Sequence, residues 1–129
     1  LELYGKNIGL TFQIADDALD YNSDIKSFGK EIGNDFFEGK VTLPIILLYQ
    51  KISNSEKTIL KNLFHKDQRE NEELNYVLNL IKKNNIIKDC YKKADHFINL
   101  AYNALSVFEE SEEKTILKNL TRFSIERNF

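Results

Sequence analysis

Residues that interrupt helices are scarce in this chain of 129 residues, which contains one proline and five glycines. Leucine, isoleucine, lysine, glutamate and asparagine are abundant, and 42% of the residues are hydrophobic. Because helices tolerate proline and glycine poorly, their scarcity leaves room for long helical segments. The composition therefore predicts an all-α fold, and the length allows a single domain with a modest core.

The chain also lacks a pair of cysteines and an excess of charge of one sign. Cys90 is the only cysteine, which excludes an internal disulfide and fits a reducing compartment, so we expect a cytoplasmic protein. The formal net charge is −2, so no basic excess points to nucleic acid. The longest apolar run, residues 43–49, is too short to cross a bilayer. We therefore expect no nucleic-acid partner and no transmembrane segment.

The stretch from Gly9 to Tyr21, GLTFQIADDALDY, places three carboxylates on an otherwise apolar segment with helical spacing. At about 100° per residue, Asp16, Asp17 and Asp20 share one stripe of the helix. Because unpaired carboxylates are costly in a dry core, we expect this stripe to line a wet cavity or a cation site, with the other faces mostly buried. The stripe also carries Lys6, Gly9 and Gln13, and the other sides carry Tyr4, Ile8, Phe12, Ile14, Ala15, Ala18 and Leu19.

The spacing of the three acids suits a divalent metal ion. Asp16 and Asp20 lie one turn apart and can lean towards the same hard cation, while Asp17 can reach a second ion or an ordered water. The alternative is an ordinary solvated helix face. Such faces usually mix both signs of charge on long side chains, whereas this helix has short acids among apolar residues. The pattern therefore favours a cation site.

An EF-hand calcium loop is a second alternative for the same acids. Asp20, Asn22, Asp24 and Glu31 occupy positions 1, 3, 5 and 12 of such a loop. Position 6 requires a glycine for its sharp turn, and this chain has Ile25 there. We therefore expect no EF-hand.

A glycine-rich loop follows the acidic helix between residues 26 and 40, KSFGKEIGNDFFEGK. Its glycines permit tight or positive-φ backbone, which lets a loop fold over a ligand. Lys30 and Lys40 each follow a glycine, and a compact ammonium group at such a position suits a phosphate. The alternative is a pair of solvated loop lysines. Next to the acidic helix, the pattern favours contacts between these lysines and a diphosphate.

Together, FQIADDALDY at residues 12–21 and GKEIGNDFFEGKVTLPII at residues 29–46 carry a resemblance to a known family. The pair resembles the second aspartate-rich region of the trans-isoprenyl diphosphate synthases, the polyprenyl synthetase family that includes octaprenyl and geranylgeranyl diphosphate synthases. The spacing matches without a break from Gly9 to about Ile46. Beyond that point the resemblance is limited to a helical pattern and to Arg127 near the chain end.

The resemblance implies that residues 1–129 form the C-terminal half of an isoprenyl synthase helical bundle. The N-terminal half, with the first aspartate-rich motif, would be absent, and the chain has no initiating methionine, so we expect a fragment. The implied activity is condensation of an allylic diphosphate with isopentenyl diphosphate in isoprenoid biosynthesis, dependent on Mg²⁺, with Mn²⁺ as the alternative ion. We expect the isolated chain to be inactive, and to form a homodimer or to associate with the missing half.

The resemblance also implies roles for particular residues. The metal ligands would be Asp16, Asp17 and Asp20, and Asp35 would support the metals indirectly. The catalytic residues would be Asp16, Asp17, Lys30 and Lys40, and the substrate-binding residues would be Gln13, Lys30 and Lys40.

Two other functions compete with prenyl transfer. The first is a noncatalytic or regulatory subunit, or a remnant of a split synthase, that acts through helix–helix association. The second is a terpene cyclase or another prenyl-transfer relative, against which the GKEIGNDFFEGKVTLP loop argues. The first competitor is supported by the missing first motif and opposed by the intact set of acids and lysines.

The rest of the chain predicts core-forming helices, about six in the whole chain. Thr42 would cap a helix that reaches Ile52 and is almost wholly core. Ser53–Ser55 would cap the next helix, and Ser111 would cap the final one. The expected inward-facing residues of the later helices are Ile59, Leu60, Leu63, Phe64, Leu74, Val77, Leu78, Ile81, Ala94, Phe97, Ile98, Ala101, Leu105, Phe108, Ile116, Leu120 and Phe123.

Overall fold

The computed structural model describes residues 1–23 and 32–128. Every regular element within these ranges is a helix, which confirms the all-α fold. One more helix forms than the sequence predicts, because the four-residue α2 lies inside the glycine-rich loop. The elements are α1 (Glu2–Leu19), α2 (Asn34–Phe37), α3 (Leu43–Lys51), α4 (Asn54–His65), α5 (Asn71–Lys83), α6 (Ile86–Ala104), a 3₁₀-helix (Leu105–Val107) and α7 (Glu112–Asn128).

The chain forms two compact units, and the first comprises residues 1–15 and 91–129. Its core joins Tyr4 and Ile8 of α1 to Ala101 and Leu105. The Tyr4 hydroxyl donates to the carbonyl of Leu117 at 2.8 Å, so the buried ring also satisfies its polar end. These contacts pair the start of α1 with the last two helices of the unit.

Two expectations for α1 and the late helix are wrong. Phe12 and Leu3 are exposed, so α1 is not buried on most of its faces. The late helix ends at Ala104, and the following 3₁₀-helix turns the chain before the expected core residue Phe108. Phe108 has the extended backbone of a helix C-cap and is exposed. Phe108 continues the helical spacing of the apolar residues before it. Because α6 ends four residues earlier, at Ala104, no helix places Phe108 on the same face as those residues.

Helix α7 buries a different face from the apolar one that its sequence predicts. Ile116 and Leu120 are 58% and 47% exposed, although both were expected to face inward. Lys114 and Thr121 are buried instead, and Lys114 Nζ donates to the carbonyl of Phe108 at 2.9 Å. Satisfied hydrogen bonds allow these polar groups to be buried. Ser111 caps the helix as predicted, accepting the N–H of Lys114 at 3.1 Å. The side chain of Phe123 lies outside the described residues.

The second unit comprises residues 16–90 and contains α2 to α5. Ser53 caps α4 as predicted, through a capping box with Glu56. Thr42 is the N-cap residue of α3, but its buried hydroxyl does not cap the helix and has no hydrogen-bond partner among the residues that the structure describes. The fully buried side chains of this unit include Tyr21, Phe36, Leu48, Leu60, Val77, Ile81 and Ile86.

The sequence predicts that helix α3 is almost wholly core, and this prediction is wrong. Ile45, Leu48 and Ile52 are buried, but Ile46 and Tyr49 are exposed. Ile59 on α4 is exposed as well, although its spacing predicts burial. A helix that packs against its neighbours on one side exposes its other side to solvent even when that side is apolar. The helical spacing of apolar residues therefore predicts more buried residues here than the structure has.

Candidate active site

The acids predicted from the sequence lie at the C-terminal end of α1 and in the turn after it. Asp16 is exposed and Asp17 is partly buried, whereas Asp20 is only 3% exposed. Asp20 follows the last helical residue, and its N–H still donates to the carbonyl of Asp16 at 3.3 Å. The three acids therefore lie within about one turn of each other and differ in their access to solvent.

Asp20 starts helix α2 from outside that helix. Its Oδ2 accepts the N–H of Asp35 at 2.9 Å, and its Oδ1 accepts the N–H of Asn34 at 3.2 Å. Its backbone carbonyl accepts the N–H of Gly33 at 2.8 Å. Gly33 is the N-cap residue, with φ of 87°, and has no side chain with which to cap the helix. Asp20 therefore supplies the missing cap and places its negative charge at the positive end of α2.

The end of the glycine-rich loop is brought to the acids of α1 by the same contacts. Asp35 lies in the first turn of α2, and its carbonyl accepts the N–H of Lys40 at 2.8 Å. Gly39 has φ of 73°, a left-handed conformation that favours glycine, and turns the chain after α2. Lys40 is exposed. Asp35 thus lies within the short helix that Asp20 anchors, and Lys40 follows just after it.

Tyr21 lies beside the acids and is 1% exposed. Its hydroxyl is buried and forms no hydrogen bond within the described part of the chain. Burial raises the pKa of Tyr21 far above its ordinary value, and the negative charges of Asp20, Asp35 and Asp17 raise it further, while Arg69 lowers it. The phenol therefore stays protonated at neutral pH, inside a cluster of charged groups from three segments of the unit.

Arg69 holds the C-terminal end of α2 and was not predicted as a site residue. Its Nε donates to the carbonyl of Phe36 at 2.6 Å, and its Nη2 donates to that of Phe37 at 3.3 Å. Its Nη1 donates to the carbonyls of Leu63 and Lys66 at the end of α4, at 3.1 and 2.5 Å. Residues 66–71 read as an exposed charged connection, and nothing in the local sequence signals these contacts.

Gln13, Lys30 and Arg127 are not among the described residues of this cluster. Gln13 is exposed on α1, in the part of that helix that belongs to the first unit. Lys30 lies outside the described residues, as do the Asp24, Ile25 and Glu31 positions on which the EF-hand comparison depends. The backbone of Arg127 belongs to α7, but its side chain is not among those described. Their predicted roles, and metal binding by Asp16, Asp17 and Asp20, stay predictions.

The chemistry of the acids fits a hard cation that is completed by other ligands. The side chains near Tyr21 offer carboxylate oxygens, the donors that Mg²⁺ prefers. Within residues 1–23 and 32–128, no three His, Cys, Asp or Glu side chains form a group that could hold a metal by themselves. Mg²⁺ commonly uses one or two protein carboxylates and fills its shell with water and phosphate oxygens. An exposed Asp16 beside a partly buried Asp17 is consistent with that mode.

No reactive thiol accompanies the acids. Cys90 is fully buried in the described structure. Burial raises the pKa of its thiol to about 12, and the charges of Asp89 and Asp17 add to the rise. The thiol therefore stays protonated at neutral pH, which makes it a poor nucleophile.

Comparison with known proteins identifies the same family from a sequence model and from individual relatives. The sequence model of the family described as "Polyprenyl synthetase" matches residues 1–81. Over 127 residues the chain is 32% identical to an all-trans-nonaprenyl-diphosphate synthase (geranyl-diphosphate specific) from Rhodobacter capsulatus, covering 98% of this chain and 38% of that protein. It is 28% identical to octaprenyl diphosphate synthase from Haemophilus influenzae, covering 100% of this chain and 39% of that protein.

Solved structures show the same similarity in three dimensions. A decaprenyl diphosphate synthase from Rhodobacter capsulatus matches with a TM-score of 0.87 at 28% identity, over 98% of this chain and 39% of that one. A polyprenyl synthase from Caulobacter crescentus, complexed with calcium and isoprenyl diphosphate, matches with a TM-score of 0.83 at 30% identity, over 98% of this chain and 38% of that one. The chain thus spans less than half the length of these relatives. Among the described residues, no helix is both long and apolar enough to cross a membrane.

Proposed function

Because the chain belongs to the polyprenyl synthetase family, we propose that it carries the C-terminal half of the active site of a trans-prenyl diphosphate synthase. The proposed reaction joins an allylic diphosphate to isopentenyl diphosphate. The allylic C–O bond breaks and pyrophosphate leaves with the electron pair. The double bond of isopentenyl diphosphate then attacks the allylic carbon, and loss of a proton completes a product that is longer by one isoprene unit.

The contact between Asp20 and the N-terminus of α2 carries this proposal. Its hydrogen bonds to Asn34 and Asp35 join the two segments that hold the acidic and the lysine-bearing parts of the family motif. The acids at the C-terminal end of α1 and the exposed Lys40 thereby lie in one unit. Metal-binding and diphosphate-binding groups can therefore act on the same leaving group.

Each residue has a defined task in this proposal. Asp16 and Asp17 hold Mg²⁺, or Mn²⁺ in its place, with Asp20 as a third predicted ligand, and the bound metal supplies positive charge beside the leaving diphosphate. Lys40 binds the diphosphate by its charge, and Lys30 and Gln13 are proposed to join it. Asp35 supports the acids across the start of α2. No protein nucleophile is needed, in keeping with the buried, protonated Cys90.

The remaining expectations are also part of the proposal. We propose that the complete active site forms only with the N-terminal part that the relatives contain, and that the chain associates with that part or with a second copy of itself, in the cytoplasm. The noncatalytic and terpene-cyclase alternatives gain nothing from the comparisons, because the relatives named above are described as prenyl or polyprenyl diphosphate synthases.

Calorimetry with the chain tests the proposal at its ligand. We expect Mg²⁺ to bind tightly only when inorganic pyrophosphate is present, because the protein supplies too few ligands alone. Calcium without pyrophosphate serves as a comparison for unspecific binding to acids. Tight Mg²⁺ binding without pyrophosphate, or equal affinity with and without it, would count against a diphosphate-completed site.

A further inference from the structure

Helix α2 has four residues, fewer than an isolated helix needs to be stable in water. Its structure must therefore come from contacts with the rest of the unit. We propose that Arg69 is a positioning residue that holds the C-terminal end of α2, while Asp20 holds its N-terminal end. Together they fix the positions of Asp35 and Lys40 for binding the leaving diphosphate. This positioning role rests on the proposed function and extends it to a residue outside the family motif.

The grip at the N-terminal end is the double hydrogen bond from α2 to the Asp20 carboxylate. Gly33 strengthens it, because a Cβ at that position would lie 2.5 Å from Leu74 Cδ2, where the backbone also has positive φ. A side chain at residue 33 would strain the backbone at this positive φ and would force either the Leu74 side chain or the N-cap of α2 to move. The start of α2 is thus defined by Asp20 on one side and by Leu74 on the other.

The grip at the C-terminal end is the fan of four hydrogen bonds from Arg69 to backbone carbonyls. The last carbonyls of a helix have no partners within it, so Phe36 and Phe37 need donors from outside α2. Arg69 donates to both, the N–H of Gly39 also donates to Phe36 at 3.0 Å, and the same guanidinium is hydrogen-bonded to the end of α4. A guanidinium has five N–H groups in a rigid planar fork, which a lysine ammonium does not reproduce.

Gly39 links this grip directly to Lys40. A Cβ at Gly39 would lie 2.7 Å from Arg69 Nη2, and the four hydrogen bonds leave the guanidinium little freedom to retreat. The chain therefore passes Arg69 at a distance that only glycine allows, immediately before Lys40. Arg69 and the N–H of Gly39 donate to the same carbonyl, that of Phe36, so displacing Arg69 would loosen the end of α2 on which the turn before Lys40 is built.

A direct role for Arg69 in binding diphosphate fits these contacts less well. Four donated hydrogen bonds to carbonyls occupy most of its donors, and the residue is partly buried. Its charge also lies near Tyr21 and the acids that surround it. Arg69 therefore acts on the ligand through Asp35 and Lys40, and its geometry matters more than its charge.

Three variants of the 129-residue chain separate these roles. Arg69→Met removes every donor, and Arg69→Lys keeps the charge but loses the fork. Lys114→Met is the matched control, because Lys114 also donates to a chain carbonyl, that of Phe108, in the other unit. Affinity for Mg²⁺ with inorganic pyrophosphate is measured by calorimetry, and amide exchange at Gly39 and Lys40 by NMR, where circular dichroism shows a folded chain.

We expect both Arg69 variants to weaken binding of Mg²⁺ and pyrophosphate by about tenfold or more, the range seen when outer contacts of a metal site are removed. Exchange at Gly39 and Lys40 should accelerate in both, and Lys114→Met should change neither measurement. If Arg69→Met does not fold, Arg69→Lys carries the same test.

Unchanged affinity in the Arg69 variants would overturn the positioning role alone. Full affinity in Arg69→Lys would show that charge suffices, and an equal loss in Lys114→Met would show a general effect of stability; either overturns it too. A wild-type chain that binds no Mg²⁺ with pyrophosphate would instead contradict the proposed function, and the positioning role would fall with it.

Discussion

The carboxylate of Asp20 accepts the backbone N–H of Asp35 at 2.9 Å, although 14 intervening residues separate the two aspartates in the chain. Asp20 thus fixes the start of α2, the helix that carries Asp35, by hydrogen bonds to its backbone. A carboxylate that accepts two backbone hydrogen bonds while 3% exposed stabilises the local fold as well as contributing charge.

Replacing Asp20 with Ala should lower the free energy of unfolding by about 1–3 kcal/mol, because it removes a helix cap and leaves two N–H groups without their acceptor. Urea unfolding measures the loss. The control is Asp67→Ala, an exposed acid in the connection after α4, for which we expect a change within about 0.5 kcal/mol. Equal effects of the two substitutions would show that the Asp20 contacts contribute nothing special.

Tyr21→Phe should leave stability unchanged or raise it by up to about 1 kcal/mol, because it deletes a buried hydroxyl that has no hydrogen-bond partner among residues 1–23 and 32–128. Tyr4→Phe is the matched control, since the Tyr4 hydroxyl donates to Leu117 and shares a 3.0 Å hydrogen bond with Thr121. That variant should lose about 1–2 kcal/mol. Thermal unfolding of both proteins at pH 7 decides the matter, and a large loss in Tyr21→Phe would reveal a partner for its hydroxyl.

The sequence predicts the parts of this site that depend on local spacing. Asp16 and Asp17 lie in the last turn of α1 as the helical spacing predicts, Asp20 directly follows that helix, and Gly33 and Gly39 adopt the positive φ that a glycine-rich loop permits. Arg69 could not be predicted, because its partners Phe36 and Phe37 lie more than 30 residues away and are backbone carbonyls, which carry no sequence signal.

The buried face of α7 shows a second limit of sequence patterns. Ile116 and Leu120 have the apolar character of core residues, yet the helix buries Lys114 and Thr121. Hydrogen bonds to residues outside α7 offset the cost of burying these polar groups. Lys114 bonds to Phe108, and Thr121 bonds to Tyr4. Periodicity counts apolar residues and does not see such partners.

Cys90 makes stability sensitive to alkaline pH. Its pKa rises from an ordinary 9.0 to about 12 in the folded protein, so the folded state holds the thiol proton more tightly than the unfolded state does. The resulting stabilisation is complete below pH 9 and is lost as the pH rises towards about 12. Cys90→Ala should therefore lose less stability than the wild type over that window, although it starts lower because of the missing sulfur. Parallel losses, measured by urea unfolding across the window, would contradict this.

Asp16→Ala should abolish binding of Mg²⁺ with pyrophosphate while the fold survives, because Asp16 is exposed. In a complete enzyme, the same substitution should reduce turnover by several orders of magnitude, since charge stabilisation at the leaving group is lost. Asp95→Ala, an exposed acid on α6, is the matched control and should bind normally. Near-normal binding by Asp16→Ala would remove Asp16 from the metal site.

The most direct test is prenyl transfer by the chain alone and by the chain with the N-terminal part of a relative. The purified chain is assayed with an allylic diphosphate, radiolabelled isopentenyl diphosphate and Mg²⁺, and then with the N-terminal part of the nonaprenyl-diphosphate synthase relative, once gel filtration shows that the two associate. We predict elongated product only from the mixture, because a closed apolar cavity and the second diphosphate site need the other part. Product from the chain alone, or none from an associated mixture, would contradict the claim that this chain carries half of a prenyl-transfer active site.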